Sequence, residues 1–116
     1  MRIVKEFTFD SAHNLKWHDG KCVNLHGHTY KMQVGVKGKI DDNGVVIDFG
    51  DLKKIVNELI DEKLDHKYLN DFYENPTAEL MAIDILKELK KKVQGIYLIR
   101  LWETPTSFVE ATNEDL

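Results

Sequence analysis

The chain has 116 residues, so we expect one small domain over residues 1–116. Its 20 acidic and 16 basic residues give a net charge of −4, and the basic residues are too scattered to form a nucleic-acid groove. No apolar run has the length of a membrane-spanning helix and the first residues lack a signal-peptide core, so we expect a cytoplasmic protein. A domain this small buries a thin core, which favours association of several copies.

Alternating apolar and polar residues predict two long strands at the start of the chain. The first spans Arg2 to His13, and its apolar face carries Ile3, Phe7 and Phe9. The second spans His26 to Ile40, and its apolar face carries Tyr30, Met32, Val34, Val36 and Ile40. Turn residues then precede the apolar run Val45–Ile47, so we expect a short return strand and an antiparallel meander.

Apolar residues at helical spacing predict a first helix of about three to four turns, capped by Asp48 or Asp51. They are Leu52, Ile55, Val56, Leu59 and Ile60. A second helix is predicted to begin near Asn75, with Pro76 as its first helical residue, and to stop before Gly95. Its apolar residues are Leu80, Ile83, Leu86, Leu89 and Val93.

Two further strands, Ile96–Glu103 and Ser107–Thr112, complete the predicted order of elements. Strands grouped on both sides of a helical pair favour an α+β fold. We therefore expect a four-stranded antiparallel sheet, in the order ββααββ, with both helices on one face.

Three histidines continue the predicted apolar faces of the first two strands. His26 and His28 lie on the face of the second strand, and His13 lies on that of the first. An unsatisfied buried polar group costs about 1–3 kcal/mol, so the three rings require partners. Three neutral histidines with an open fourth position describe a catalytic zinc site, which is the hypothesis we favour. Histidines satisfied within the core, or a closed zinc site with Cys22 as fourth ligand, would use the same residues.

Cys22 is the only cysteine of the chain and lies in the loop before His26. A single thiol cannot form an internal disulfide, which fits a reducing compartment. Because a thiol near a metal ion and basic groups ionises more readily than a free one, Cys22 is a candidate base. His18 lies in the same loop and is predicted to be a surface residue without a ligand role.

Two other polar groups are candidates for a functional site. Asp65 precedes His66 after the first helix, where a carboxylate can fix the tautomer of an imidazole or raise its basicity. A histidine stabilised by the dipole of a helix C-terminus would occupy the same position. Glu103 is either functional or an exposed carboxylate at a strand end, and spacing alone leaves both interpretations open.

Six short motifs can be compared with known families. They are Phe9-Asp10-Ser11-Ala12-His13, Cys22-Val23-Asn24-Leu25-His26-Gly27-His28, Asp48-Phe49, Leu64-Asp65-His66, Asn75-Pro76-Thr77-Ala78-Glu79 and Trp102-Glu103-Thr104. Together they resemble the 6-pyruvoyl-tetrahydropterin synthase family, and especially its short microbial branch, the 6-carboxytetrahydropterin synthases. The resemblance covers almost the whole chain.

The resemblance implies a tunnelling fold, in which three subunits close their sheets into one barrel and two barrels stack as a homohexamer. It implies a zinc ion held by His13, His26 and His28. It also implies that Cys22 is the proton acceptor.

By the same resemblance, Asp65 and His66 form a relay with the cysteine, and they are supplied by a neighbouring subunit. Glu103 is expected to anchor the pterin ring. Thr77 is a further expected pterin contact, although the neighbouring Ala78 lacks the hydroxyl found in some relatives.

The implied substrate is 7,8-dihydroneopterin triphosphate, and the expected products are 6-carboxytetrahydropterin, acetaldehyde and triphosphate, on a route to 7-deazaguanine nucleosides such as queuosine. The pyruvoyl branch instead releases triphosphate and keeps the side chain. Other relatives act on dihydroneopterin in folate synthesis, typically without a cysteine like Cys22. From another class, a non-catalytic zinc-stabilised binding domain closed by Cys22 is the alternative.

Overall fold

The computed structural model describes residues 1–116 and contains five strands and two α-helices. The strands are β1 (Arg2–His13), β2 (His26–Lys37), β3 (Lys67–Tyr68), β4 (Ile96–Thr104) and β5 (Ser107–Thr112). The helices are α1 (Phe49–Leu59), which continues into a π-helical turn over Ile60–Leu64, and α2 (Ala78–Lys90). Neither helix combines the length and the apolar character that a membrane crossing requires.

The strands form one mixed sheet in the order β3-β1-β2-β4-β5. The α+β class and the two helices are confirmed, but the prediction of a four-stranded, fully antiparallel sheet is wrong by one strand. The additional strand, β3, pairs in parallel with β1 at Ser11 and Ala12. It was missed because two residues carry no alternation. The chain reaches this edge through His66, whose backbone has a left-handed φ of 56°.

The predicted apolar faces of β1 and β2 meet in the core. Phe7 pairs with Met32 and Phe9 pairs with Tyr30, and all four side chains are buried. The rings of Phe9 and Tyr30 stack with their centroids 4.9 Å apart. These residues and the buried residues of both helices belong to one cluster of 23 side chains. The strand-end histidines continue the same face.

Two predicted strand segments are wrong. β2 ends at Lys37, whose amide donates a hydrogen bond to the carbonyl of Gly95 (2.8 Å), and Ile40 beyond it is 55% exposed. The run Val45–Ile47 is a loop. The side chain of Asp41 accepts hydrogen bonds from the amides of Asn43 (2.8 Å) and Val45 (3.3 Å), and these bonds hold residues 41–45 as a compact turn.

The helices begin at polar caps. Asp48 precedes α1, as predicted, and accepts a hydrogen bond from the amide of Asp51 (3.1 Å). The predicted start of α2 is wrong, because Thr77 caps this helix and Pro76 lies outside it. Leu80, one of the apolar residues at helical spacing, is 47% exposed and lies outside the buried stripe of α2. That stripe consists of Ala78, Met81, Ala82, Ile85, Leu86 and Leu89.

Gly95 joins α2 to β4 in a conformation that side chains rarely adopt, and Gly95→Ala is expected to destabilise the fold strongly. Its φ is 91°, and a Cβ atom at this position would overlap the carbonyl oxygen of Lys37. We expect a loss of more than about 2 kcal/mol in the free energy of unfolding, since the left-handed conformation alone costs about 1–2 kcal/mol. Gly44→Ala is the matched control, because Gly44 has a φ of 81° but no atom within 4 Å of the place that a Cβ atom would take. Urea unfolding of both variants measures the difference, and equal losses would contradict the steric argument.

Candidate metal centre and active site

The sheet places three histidine rings at one end of the core. His13 and His26 are directly paired across β1 and β2, and His28 pairs with Ser11 on the same face. His13 is fully buried, whereas the other two rings are half-buried. One ring nitrogen from each lies within 4.8 Å of the other two. The predicted convergence of His13, His26 and His28 is therefore present in the structure.

Backbone carbonyls determine where the protons of two rings lie. The Nδ1 atom of His13 is 2.9 Å from the carbonyl oxygen of Pro76, and Nδ1 of His26 is 2.7 Å from that of Asn24. A carbonyl oxygen only accepts hydrogen bonds, so each Nδ1 carries the proton and each neutral ring has its lone pair on Nε2. The two Nε2 atoms face each other at 3.0 Å. Two lone pairs at this distance require a positive charge near them.

His28 directs a third nitrogen to the same place. Its Nε2 atom is buried and has no hydrogen-bond partner. The nearest acidic oxygen is Oε1 of Glu103 at 3.5 Å. Burial lowers the pKa of His28, Glu103 opposes this effect, and His13 and His26 reinforce it. A neutral imidazole with an unpaired buried nitrogen fits a metal ligand, so the three residues form a set suited to a metal ion such as zinc.

Cys22 lies outside this set. It occupies a short 3₁₀ turn, Lys21–Val23, where its side chain is half-buried. Its carbonyl oxygen accepts a hydrogen bond from the amide of Leu15 (2.8 Å). The group of mutually close ligand atoms contains the three histidines and excludes the thiol. The arrangement therefore offers three nitrogen ligands with a separate thiol, rather than a closed four-ligand site.

Asp65 and His66 are in direct contact at the edge of the sheet. Oδ2 of Asp65 is 2.8 Å from Nδ1 of His66, and Oδ1 of Asp65 accepts a hydrogen bond from the Asp10 amide (2.9 Å). The amide of Asp10 is the main cause that lowers the pKa of Asp65, and the bond to His66 adds to it. The same bond raises the pKa of His66. The imidazole is 80% exposed, and no hydrogen bond or ion pair joins it to Cys22 or to the histidine cluster of its own chain.

Glu103 lies at the cluster end of β4. Its side chain, His28 and Lys31 line one cavity of about 450 Å³. The ammonium group of Lys31 lies 4.1 Å from the ring centroid of Trp102, which forms another part of the wall. The structure thus brings Glu103 beside the histidines.

Thr77 and His18 have local partners. The hydroxyl oxygen of Thr77 accepts a hydrogen bond from the amide of Leu80 (3.2 Å). Nδ1 of His18 accepts one from the amide of Gly20 (2.8 Å), and His18 is half-buried and lies outside the histidine cluster.

The structure adds partners that residue types do not signal. They are the carbonyl groups of Asn24 and Pro76, and the buried hydroxyl of Tyr30, which is 3.5 Å from Nδ1 of His13. Every residue has a carbonyl group, so no pattern of residue types marks the two that contact these rings. Tyr30 could have been found, because its buried hydroxyl lies on the same strand face as His28.

A model of the 6-pyruvoyl tetrahydropterin synthase family matches residues 2–114. The chain belongs to this family. The family resemblance drawn from the six motifs is confirmed. The fold is similar to that of 6-pyruvoyl tetrahydropterin synthase from Caenorhabditis elegans, with a TM-score of 0.88 and 28% sequence identity. The superposition covers 97% of this chain and 95% of the Caenorhabditis elegans chain.

Synthase-family relatives are also similar in sequence. A 6-carboxy-5,6,7,8-tetrahydropterin synthase from Haemophilus influenzae is 43% identical over 136 aligned residues, covering 94% of this chain and 96% of the relative. One of the same name from Synechocystis is 41% identical, with coverage of 90% and 88%. A dihydroneopterin monophosphate aldolase from Pyrococcus furiosus is 39% identical, with coverage of 88% and 89%. The relatives are thus enzymes named for pterin chemistry.

Proposed function

We propose that this chain is a zinc-dependent 6-carboxy-5,6,7,8-tetrahydropterin synthase. It converts 7,8-dihydroneopterin triphosphate and one molecule of water into 6-carboxytetrahydropterin, acetaldehyde and triphosphate. The observation that carries the proposal is the convergence of one ring nitrogen from each of three histidines. Nε2 of His13 faces Nε2 of His26, and the buried Nε2 of His28 has no hydrogen-bond partner. The relatives named for this activity, at 41–43% identity, support the substrate and product.

His13, His26 and His28 would hold the zinc ion through their ring nitrogens. When bound, zinc supplies a Lewis acid that polarises the side-chain hydroxyls of the substrate and makes the adjacent C–H bonds more acidic. Cys22 acts as the base that removes a proton from that side chain. The separation of its thiol from the close nitrogen set supports this role, because a ligand thiolate would not be free to accept a proton.

Other residues hold the substrate and the proton. Glu103 accepts hydrogen bonds from the amino group and the ring N–H of the pterin, and its position on a cavity shared with His28 supports this role. Asp65 keeps the proton of His66 on Nδ1, which leaves Nε2 available to exchange a proton with Cys22. Thr77 still has its hydroxyl hydrogen, which it can donate to the pterin.

The reaction outcome is tested by identifying the products. Purified protein loaded with zinc is expected to release acetaldehyde and triphosphate from 7,8-dihydroneopterin triphosphate in equal amounts. Trapping with a hydrazine measures the aldehyde, and chromatography measures the pterin and the triphosphate. Release of triphosphate without acetaldehyde would assign the chain to 6-pyruvoyl tetrahydropterin synthesis.

A second candidate reaction is cleavage of dihydroneopterin monophosphate, supported by the name of the Pyrococcus furiosus relative. The same assay with the monophosphate as substrate distinguishes the two. A kcat/KM higher for the monophosphate than for the triphosphate would favour the aldolase.

The active site is proposed to form between subunits of a hexamer made of two stacked trimeric barrels. The placement of Asp65 and His66 supports this, because within one chain no hydrogen bond or ion pair joins them to Cys22 or to the histidine cluster. Both edges of the sheet can also pair further. β3 covers only Ser11 and Ala12 of β1, and the outer edge of β5 is free. Barrel closure would satisfy these exposed backbone groups.

Mixed hexamers test this placement. Cys22→Ala and His66→Ala are each expected to be inactive, and chains unfolded together and reassembled should regain activity. In a random mixture about one quarter of the sites combine an intact Cys22 from one chain with an intact His66 from its neighbour, so about one quarter of wild-type turnover is expected.

The matched control mixes Cys22→Ala with His26→Ala, whose defects both lie in the half-site contributed by one chain. This mixture should show no recovery. Native mass spectrometry verifies that the hexamers are mixed, and verified mixtures of Cys22→Ala and His66→Ala without recovery would refute the shared site.

A further inference from the structure

We propose that Asn70 is a positioning residue, whose side-chain amide holds the Cys22 turn in place relative to His13. The inference rests on the proposed function, in which the Cys22 thiol acts on a substrate bound beside the histidines. It concerns the segment 14–25, the connection between β1 and β2 that carries the thiol.

The side-chain amide group of Asn70 forms hydrogen bonds with both the backbone N–H and the backbone carbonyl of Asn14. Its Oδ1 accepts a hydrogen bond from the Asn14 amide (3.0 Å), and its Nδ2 donates one to the Asn14 carbonyl (2.9 Å). The pair of bonds is what a residue of a neighbouring strand would provide. β3 pairs with β1 only as far as Tyr68, and the chain then turns into a 3₁₀ helix over Leu69–Asp71. The side chain of Asn70 therefore provides the hydrogen bonds to β1 that the backbone of β3 would provide if this strand continued beyond Tyr68.

Asn14 lies between the metal ligand and the thiol-bearing turn. It directly follows His13, the buried member of the cluster. The next residue, Leu15, donates its amide hydrogen to the carbonyl oxygen of Cys22 (2.8 Å). Asn70 holds the Asn14 peptide in place. Because Leu15 follows Asn14, this also positions the Leu15 amide, which donates the hydrogen bond to the Cys22 carbonyl.

The side chain of Asn14 adds a second link to the same turn. Its Nδ2 donates to the carbonyl of Val23 (3.4 Å), and its Oδ1 accepts from the hydroxyl of Tyr68 (2.5 Å). All four polar groups of Asn14 are thus used, and they join Asn70 and Tyr68 to the turn at Val23, the residue after Cys22. Farther along the loop, the exposed Trp17 donates a hydrogen bond to Asn75 (2.8 Å).

This arrangement predicts a specific effect on the thiol. Without Asn70, the Asn14 peptide loses both side-chain partners, and the Cys22 turn gains freedom to move. His13 keeps its partner, the carbonyl of Pro76, which lies outside the segment 14–25, and His26 and His28 keep their places in β2. The metal site should therefore persist while the base moves away from its place. Displacement of a reacting group by about 1 Å can cost about a hundredfold in rate.

The test compares Asn70→Ala, Asn70→Asp and the control Asn43→Ala, in the full-length protein loaded with zinc. Asn70→Asp keeps the acceptor for the Asn14 amide but places a second oxygen against the Asn14 carbonyl. Asn43 lies in an exposed turn remote from the site, and its side chain makes no hydrogen bond. Metal content, melting temperature, kcat and KM are measured for each variant. Cys22 is the only cysteine, so alkylation by iodoacetamide reports on this thiol alone.

For both Asn70 variants we expect one zinc per chain, a kcat reduced at least about tenfold and a KM changed less than about threefold. Alkylation of Cys22 should be faster by about tenfold, since a half-buried thiol becomes more accessible when its turn opens. Asn43→Ala should match wild type in all of these measurements. If Asn70→Ala does not fold, Asn70→Asp decides by the same criteria.

A lower melting temperature with wild-type kcat and a wild-type alkylation rate would overturn the proposal, because it would show a purely structural role. Failure of the proposed function is recognisable separately. In that case wild type itself does not turn over the pterin substrate, and the alkylation rate, with zinc content, still decides whether Asn70 positions the turn.

Discussion

His26→Ala is expected to lose bound zinc and to lose turnover with it. The ring of His26 supplies one of three nitrogens that converge within 4.8 Å, and its Nε2 faces that of His13 at 3.0 Å. Loss of an outer partner of a zinc ligand already costs about 10–100-fold in metal affinity or activity, so loss of a ligand itself should cost more. Metal analysis by mass spectrometry after dialysis, together with the product assay, measures both effects.

His18→Ala is the matched control for this variant. His18 is a half-buried histidine in the adjoining loop, and the partner of its Nδ1 atom is the amide of Gly20. It should retain one zinc per chain and turnover close to wild type. Stoichiometric zinc and full turnover in His26→Ala would show that the assignment of ligands is wrong.

Cys22→Ala is expected to retain zinc and to lose turnover by about 10²–10⁴-fold, the range typical for removal of a general base. The thiol lies outside the close group of ligand atoms, so removing it leaves the three nitrogens in place. A zinc-stabilised binding domain closed by Cys22 predicts the opposite result, in which zinc and thermal stability fall together. Zinc content, melting temperature and turnover of this one variant therefore separate the enzyme from the binding domain.

Val23→Ala controls for disturbance of the turn. Val23 follows Cys22 in the same turn, is 40% exposed and interacts with Asn14 through its carbonyl group, which the substitution retains. It should behave like wild type in all three measurements. Wild-type turnover in Cys22→Ala would falsify the role of the thiol as base.

Alternation predicted the parts of the fold in which one face of a strand is buried and the other is not. Phe7, Phe9, Tyr30 and Met32 follow this rule, and the histidines at the strand ends could be placed with them. It failed at β3, where two residues are too few to show a period. It also failed where local hydrogen bonds decide the backbone, as in the Asp41 turn that precedes the Val45–Ile47 loop.

The candidate site was predictable to the extent that side-chain type carries information. Three histidines on matching faces indicated a metal site, but the proton positions of His13 and His26 depend on the carbonyl groups of Pro76 and Asn24. The contact between Asp65 and His66 was a natural hypothesis for adjacent residues. Their attachment to Asp10, which holds them at the sheet edge, depends on pairing across distant parts of the chain.

The carbonyl partners of His13 and His26 also affect how this centre tolerates mutation over evolution. A side-chain partner can be deleted by a single codon change, but every residue that replaces Asn24 or Pro76 still brings a carbonyl oxygen. Substitutions at Asn24 and Pro76 therefore leave the protons of His13 and His26 on Nδ1, provided that the path of the backbone is retained. Comparisons of diverging sequences would underestimate the importance of these two sites, because selection acts there on chain geometry and leaves a weak trace in residue type.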